Sequence, residues 1–227
     1  MPHRKYLLLI LTLIFLTACN SSKKPKKTKT KIKTNIIKEN NTTIVPTPIS
    51  GKLSLKDVAV KQALDSYLQD LSTFNIDVIV DKTYPRLFRV IDLDLFRQYI
   101  ASMMNSTDIE ILSYTTDILK LSKVTTFSND SEFAQATYLS TIKLHFLNHN
   151  LYPTNEKINF LYDALIHKHG KDNVDINIEQ RTLQIKKLEK ILIIKEKDTE
   201  WKFLGADEKY QKMFPSFLPL EFQKILE

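Results

Sequence analysis

The stretch AQATYLSTIKLHF, residues 134–146, sets Ala136, Tyr138, Ser140, Ile142, Leu144 and Phe146 at every second position. A period of two puts all six side chains on one side of an extended chain, so the segment predicts a long, half-buried β-strand over 133–147. Such a strand must pair with others to satisfy its backbone. Residues 109–123 read as a second long strand. Residues 183–196 read as a third, a β-branched run whose alternation slips near Lys187, which predicts a bulge there. Short strands are expected at 174–178 and 200–204.

Helical patterns come first in the chain. SLKDVAVKQALDSYLQDL, residues 54–71, opens with Ser54 as a cap and Asp57 three residues on, close to a capping box. Val58, Val60, Ala63, Leu64, Tyr67, Leu68 and Leu71 then form a helical stripe. A second helix is expected over 76–81, before Pro85 disfavours helix at Tyr84. Asp92 caps a third through Met104, a fourth spans 155–169, and Pro215 and Pro219 break the tail into two short helices. Helices first and long antiparallel strands afterwards make an α+β fold, with the long N-terminal helix packed across the sheet.

Cys19 is the only cysteine. It follows a charged start (Arg4, Lys5), an apolar run over residues 6–15 and the small-residue approach Leu16-Thr17-Ala18. That layout is a secretory signal, and the run is shorter than the ~20 residues a membrane-spanning helix needs. Leu-Thr-Ala-Cys resembles the bacterial lipobox, which implies cleavage after residue 18 and lipid attachment at Cys19. An ordinary secretory signal with an incidental cysteine is the plainer alternative. Two or more acyl chains anchor stably where one binds marginally. With Cys19 so used, no thiol remains for disulfides or catalysis. Asn20 is not the aspartate that resemblance to enteric lipoproteins links to inner-membrane retention. The expected address is therefore the cell envelope, lipid-anchored at the outer membrane and facing the periplasm.

The net charge of +7 suggests nucleic acid only until it is divided. Residues 1–50 hold ten basic side chains and one acid, +9, whereas residues 51–227 hold 23 basic and 25 acidic, −2. The basicity belongs to a polar, low-complexity stretch beside Cys19, and no nucleic-acid partner is expected. Residues 19–50 are expected to be a disordered Lys-rich tether, either held to anionic headgroups by its lysines or serving as a plain extended spacer. Residues 51–227 suffice for one domain.

DVIVDKTYPRLFRVI, the long strands after it, WKFL and the terminal LPLEFQKILE resemble uncharacterised NTF2-like proteins of Bacteroidetes-type bacteria. The match spans about residues 55–227, and Thr83, Tyr84, Pro85, Leu87 and Phe88 carry its most specific segment. The resemblance implies an NTF2-like (cystatin-like) cone, a curved antiparallel sheet wrapped round helices. It also implies a cavity at the open end, which the helix at 155–169 is placed to cover.

With three glycines in the chain, no GxGxxG or P-loop exists, and neither does HExxH, GxSxG or CxxC. Asp117 is the candidate catalytic base, because simple alternation sets it on a face with Ile111, Leu119 and Leu121. His145 and His149, and His167 and His169, supply no convergent set of three, so neither a metal nor a cofactor is expected. His167 and His169 sit near a helix end, where the dipole favours cationic imidazole. His145 should lie on the strand face opposite Tyr138. Tyr84, Tyr138 and Trp201 are either the lining of an apolar ligand cavity or ordinary core. Three functions follow: a non-catalytic envelope domain binding a small apolar ligand or a protein partner, a cofactor-free isomerase or hydratase using a carboxylate, and a structural component of envelope assembly.

Overall fold

The computed structural model describes residues 54–149 and 154–226. The expected signal peptide, Cys19 and the stretch expected to be a Lys-rich tether lie outside these residues.

Helix α1, Leu55–Thr73, starts on a complete capping box. The Asp57 N–H donates to Ser54 Oγ at 3.1 Å, and Asp57 Oδ2 accepts from the Ser54 N–H at 3.1 Å. Its other oxygen accepts from the Val124 N–H at 3.1 Å, so the cap also ties the helix to the chain leaving the first strand. Helix α2, Ile76–Lys82, is capped by Asn75, and α3, Leu93–Met104, by Asp92. Between them Pro85–Arg89 winds as a 3₁₀ turn, as a proline at the first helical position permits.

The strands are β1 (Ile109–Leu121), β2 (Thr125–Thr126), β3 (Glu132–Phe146), β4 (Val174–Asn177), β5 (Thr182–Lys195) and β6 (Lys202–Gly205). Helix α4, Asn155–His169, interrupts them, and α5 (Glu208–Gln211) and α6 (Leu220–Leu226) close the chain. Every strand pair is antiparallel, in the order β1-β3-β5-β4 with β2 also on β3 and β6 also on β5. The fold is α+β, as the element order predicts.

At the Glu132 end the sheet is covered on both faces. On one, Val60, Leu64, Tyr67 and Leu68 of α1 pack on Ala134, Ala136, Ile191, Ile193 and Phe203. Fully burying a valine, leucine, isoleucine or phenylalanine side chain in this way contributes about 1.5–3 kcal/mol. On the other, Phe133, Leu192, Ile194 and Leu204 meet Tyr84, Leu87 and the C-terminal Phe214, Phe217, Leu218 and Phe222. Two-sided burial is why Ile191-Leu192-Ile193-Ile194 is apolar without alternation.

Towards its other end β3 turns Leu144 and Phe146, and β5 turns Leu183 and Ile185, to the α1 side. Helix α4 contacts β4 and β5 and buries Ile158, Leu161 and Leu165.

The bulge expected near Lys187 is absent: β3 and β5 pair without a break from Glu132↔Lys195 to His145↔Thr182. Two register shifts occur in β1 instead, where Leu112 and Leu119 are the extra residues. Each reverses the alternation. Ile111, Tyr114, Thr116, Ile118 and Leu121 therefore pair with Leu144, Ile142, Ser140, Tyr138 and Ala136, all on the α1 side.

Candidate functional site

Lys187 and Glu189 interrupt the apolar alternation of β5, and pairing shows which way they face. Lys187 is opposite Ser140 and Glu189 opposite Tyr138, residues on the α1 face of β3. Between the apolar floor under α1 and that beside α4 lies a band of polar side chains: Tyr114, Tyr138, Ser140, Lys187 and Glu189.

The band is a connected network. Glu189 Oε2 accepts from Lys187 Nζ at 3.0 Å, and Lys187 Nζ stands 3.5 Å from Asp207 Oδ2. The Ser140 hydroxyl donates to the Lys187 carbonyl at 3.2 Å. The Tyr114 hydroxyl shares hydrogen bonds with Tyr138 and Ser140. Asp207 is delivered by β6: past Gly205, the Ala206 N–H donates to the Lys190 carbonyl at 2.9 Å and carries the chain alongside β5. The Asp207 carbonyl then accepts from the Tyr210 N–H at 2.9 Å.

Above the band, Tyr67 of α1 stacks on Phe203 with centroids 4.1 Å apart. Phe74, the residue that ends α1, sits with φ +53° and meets the Tyr114 ring edge-on at 5.8 Å. A left-handed backbone costs a residue with a side chain roughly 1–2 kcal/mol; here it aims an aromatic ring at the band.

Burial pushes the Glu189 carboxyl above the ordinary glutamate range, with the Lys187 ammonium and its hydrogen bond opposing and Asp207 adding to the rise. Burial also pushes up the Tyr138 phenol, helped by Tyr114 and then Glu189. At the end of α4, burial holds the His169 imidazole below its usual value, and Lys168 and Lys187 add to that. The helix-dipole expectation for His169 is thus reversed, since desolvation outweighs half a charge at a helix end. His169 Nε2 is buried and has no hydrogen-bond partner among the described residues.

Of the residues singled out from sequence, Tyr138 alone belongs to this band. Asp117 does not point inward as simple alternation had it. The bulge at Leu112 turns it to the opposite side, where it pairs with Leu139 and is exposed. Tyr84 is core on the other face, its hydroxyl donating to Glu196 Oε1 at 2.8 Å. Trp201 packs at the edge of the α1 cluster beneath Lys195, whose Nζ is 5.8 Å from the ring centroid. The three aromatics therefore line no common cavity. His145 lies opposite Tyr138's face as expected, with Nδ1 3.5 Å from a Glu110 carboxylate oxygen. Tyr114, Ser140, Lys187 and Glu189 were missed. Their one signal was the faltering alternation at Lys187, which reflects polar residues on the inward face and no shift of register.

Away from the band, a pocket of about 230 Å³ opens at the Glu132 end among Arg86, Asn129, Ser131, Glu196, Lys197 and Glu221. Its charged groups are paired locally: Arg86 to Glu196 at 2.8 Å, Lys197 to Asp130 at 3.2 Å, and Asn129 donating to Glu221 at 3.0 Å. Of these, the Asn129–Glu221 bond fastens the C-terminal helix to the β2–β3 turn, and Lys197–Asp130 joins that turn to the chain leaving β5.

Among the described residues no group of three His, Cys, Asp or Glu is placed to hold a metal ion, and no helix is long and apolar enough to cross a membrane. The fold and the band together define an α+β protein with a polar site set into one apolar sheet face. No family model matches the chain, and no curated protein matches it.

Proposed function

We propose that this chain is a lipid-anchored envelope protein whose NTF2-like domain binds a small ligand on the sheet face between α1 and α4. One observation carries the reading: phenols, a hydroxyl, a carboxylate and an ammonium gather on a face that is otherwise apolar. A paired carboxylate and ammonium on a packed face add little stability over apolar side chains in the same place, so their assembly argues for use beyond packing. Apolar walls with a few convergent polar groups are the usual composition of a ligand site. The small apolar ligand considered for Tyr84, Tyr138 and Trp201 gives way to one with a polar head, because Tyr138's neighbours are Glu189, Lys187 and Ser140.

The test is a metabolite thermal-shift screen on the detergent-solubilised mature chain. Hits should lose their stabilisation in Tyr138→Phe and keep it in Tyr84→Phe; the reverse pattern sinks the site. Anchoring is tested separately. Cys19→Ala should move the protein from the detergent phase to the aqueous phase, and unchanged partitioning removes the lipoprotein reading.

A second reading is proton transfer at carbon without a cofactor, with Glu189 in the role first considered for Asp117. Its support is that Glu189 faces the α1 side opposite Tyr138, where burial raises its carboxyl above the ordinary glutamate range. A hit from the screen should then exchange a carbon-bound hydrogen with deuterated solvent, and Glu189→Gln should stop the exchange. Exchange persisting in that variant refutes the reading.

A further inference from the structure

Which ligand class the band prefers follows from how its charges are disposed. Lys187 is the cation of the band, and it is already engaged at 3.0 Å by Glu189 and at 3.5 Å by Asp207. An anion approaching Lys187 meets both carboxylates. A cation meets a different surface. Glu189 spends Oε2 on Lys187, and its Oε1 has no hydrogen-bond partner among the described residues. Around it stand aromatic rings: Tyr138 directly across the strand pair, Tyr114 bonded to Tyr138, and Tyr210 within electrostatic reach of Glu189 and Asp207. Burial raises the Tyr138 and Tyr210 phenols; Tyr114 and then Glu189 add to the first, and Asp207 and Glu189 add to the second against Lys187. Burial, then Lys168 and Lys187, hold the His169 imidazole below its usual value, which disfavours its cationic form, and its buried Nε2 is unpartnered among the described residues.

Resting on the ligand-site reading above, we propose that the guest is a small organic cation, an alkylammonium or quaternary ammonium, with its charge at Glu189 and its carbon among Tyr114, Tyr138 and Tyr210. Aromatic rings beside a carboxylate bind such ions through the ring quadrupole and the charge together. Lys187 acts as the internal cation that holds Glu189 until the guest competes for it.

The experiment uses the detergent-solubilised full mature chain labelled with 3-fluorotyrosine, its ¹⁹F resonance for Tyr138 assigned with Tyr138→Phe. Probes are n-butylammonium and choline, their uncharged counterparts n-butanol and 3,3-dimethylbutan-1-ol, and butyrate. At least one cation should shift the Tyr138 resonance with affinity tenfold or more above its neutral counterpart, roughly the increment a desolvated cation–π contact supplies. Glu189→Gln should abolish that margin, while Lys187→Met should widen it, which a merely structural loss does not do. Cation and neutral probes of equal affinity, or butyrate binding best, overturn the cation inference and leave the ligand site standing. No shift with any probe overturns both.

Discussion

At the scale of single residues, Asp57 and Glu189 are carboxylates with opposite energetics. Asp57 accepts from the Ser54 side chain and from the Val124 N–H, which hold it below the usual aspartate range. A depressed folded-state value means its contribution is present above the unfolded aspartate pKa and is lost as pH falls through the folded one. Asp57→Asn should therefore lower Tm at pH 7, and the gap to wild type should close in acid; a gap independent of pH contradicts this account. For Glu189 the sign is reversed. Burial raises its folded-state value, so ionising it works against the fold as pH climbs past the ordinary glutamate range. Glu189→Gln should melt no lower than wild type at pH 7, with an advantage that grows from pH 4 to pH 7 in a melting series. A variant less stable at every pH would make Glu189 a structural residue. Retaining a carboxylate at a cost to stability is the pattern expected of a functional position.

At the scale of elements, β1 decides which side chains the site receives. Leu112 and Leu119 are the extra residues of its two bulges, and between them the alternation is inverted. That inversion brings Tyr114 to the α1 face and sends Asp117 to the other. Deleting Leu112 forces either Ile109 and Ile111 or the Tyr114–Ile118 stretch to the wrong face. The deletion should cost about 3 kcal/mol or more in urea denaturation, from lost apolar burial. Leu112→Ala, by contrast, removes a side chain that is 45 % exposed and should stay within about 0.5 kcal/mol of wild type. Equal losses in the two variants would show that the register adjusts freely. Helices α1 and α4 bound the site from its two ends, and the left-handed Phe74 closes α1 directly against Tyr114.

At the scale of the molecule, charge is segregated along the chain: +9 over residues 1–50 and −2 over residues 51–227. On the proposed reading the basic stretch serves the membrane and the nearly neutral domain serves the ligand. Removing residues 21–50 should leave the domain's melting temperature unchanged, because the core clusters described here draw on residues from Val60 onward. A large fall would make that stretch part of the fold.

The order of elements was legible in the sequence because caps, prolines and two-residue periodicity are local signals. Ser54 with Asp57, Asp92, and the alternation from Ala136 to Phe146 each declare their structure within a few residues. The α+β class followed from that order. The candidate site did not, and two residues show why. Asp117 reads as inward until a bulge set by pairing with β3 reverses it, and bulges carry no sequence mark here. Lys187 reads as a slipped register until the unbroken β3–β5 ladder shows a polar residue facing inward. Local physics determined which segments are helix and strand. The register between distant strands, which only the packed sheet supplies, decided that Tyr114, Tyr138, Lys187 and Glu189 share a face.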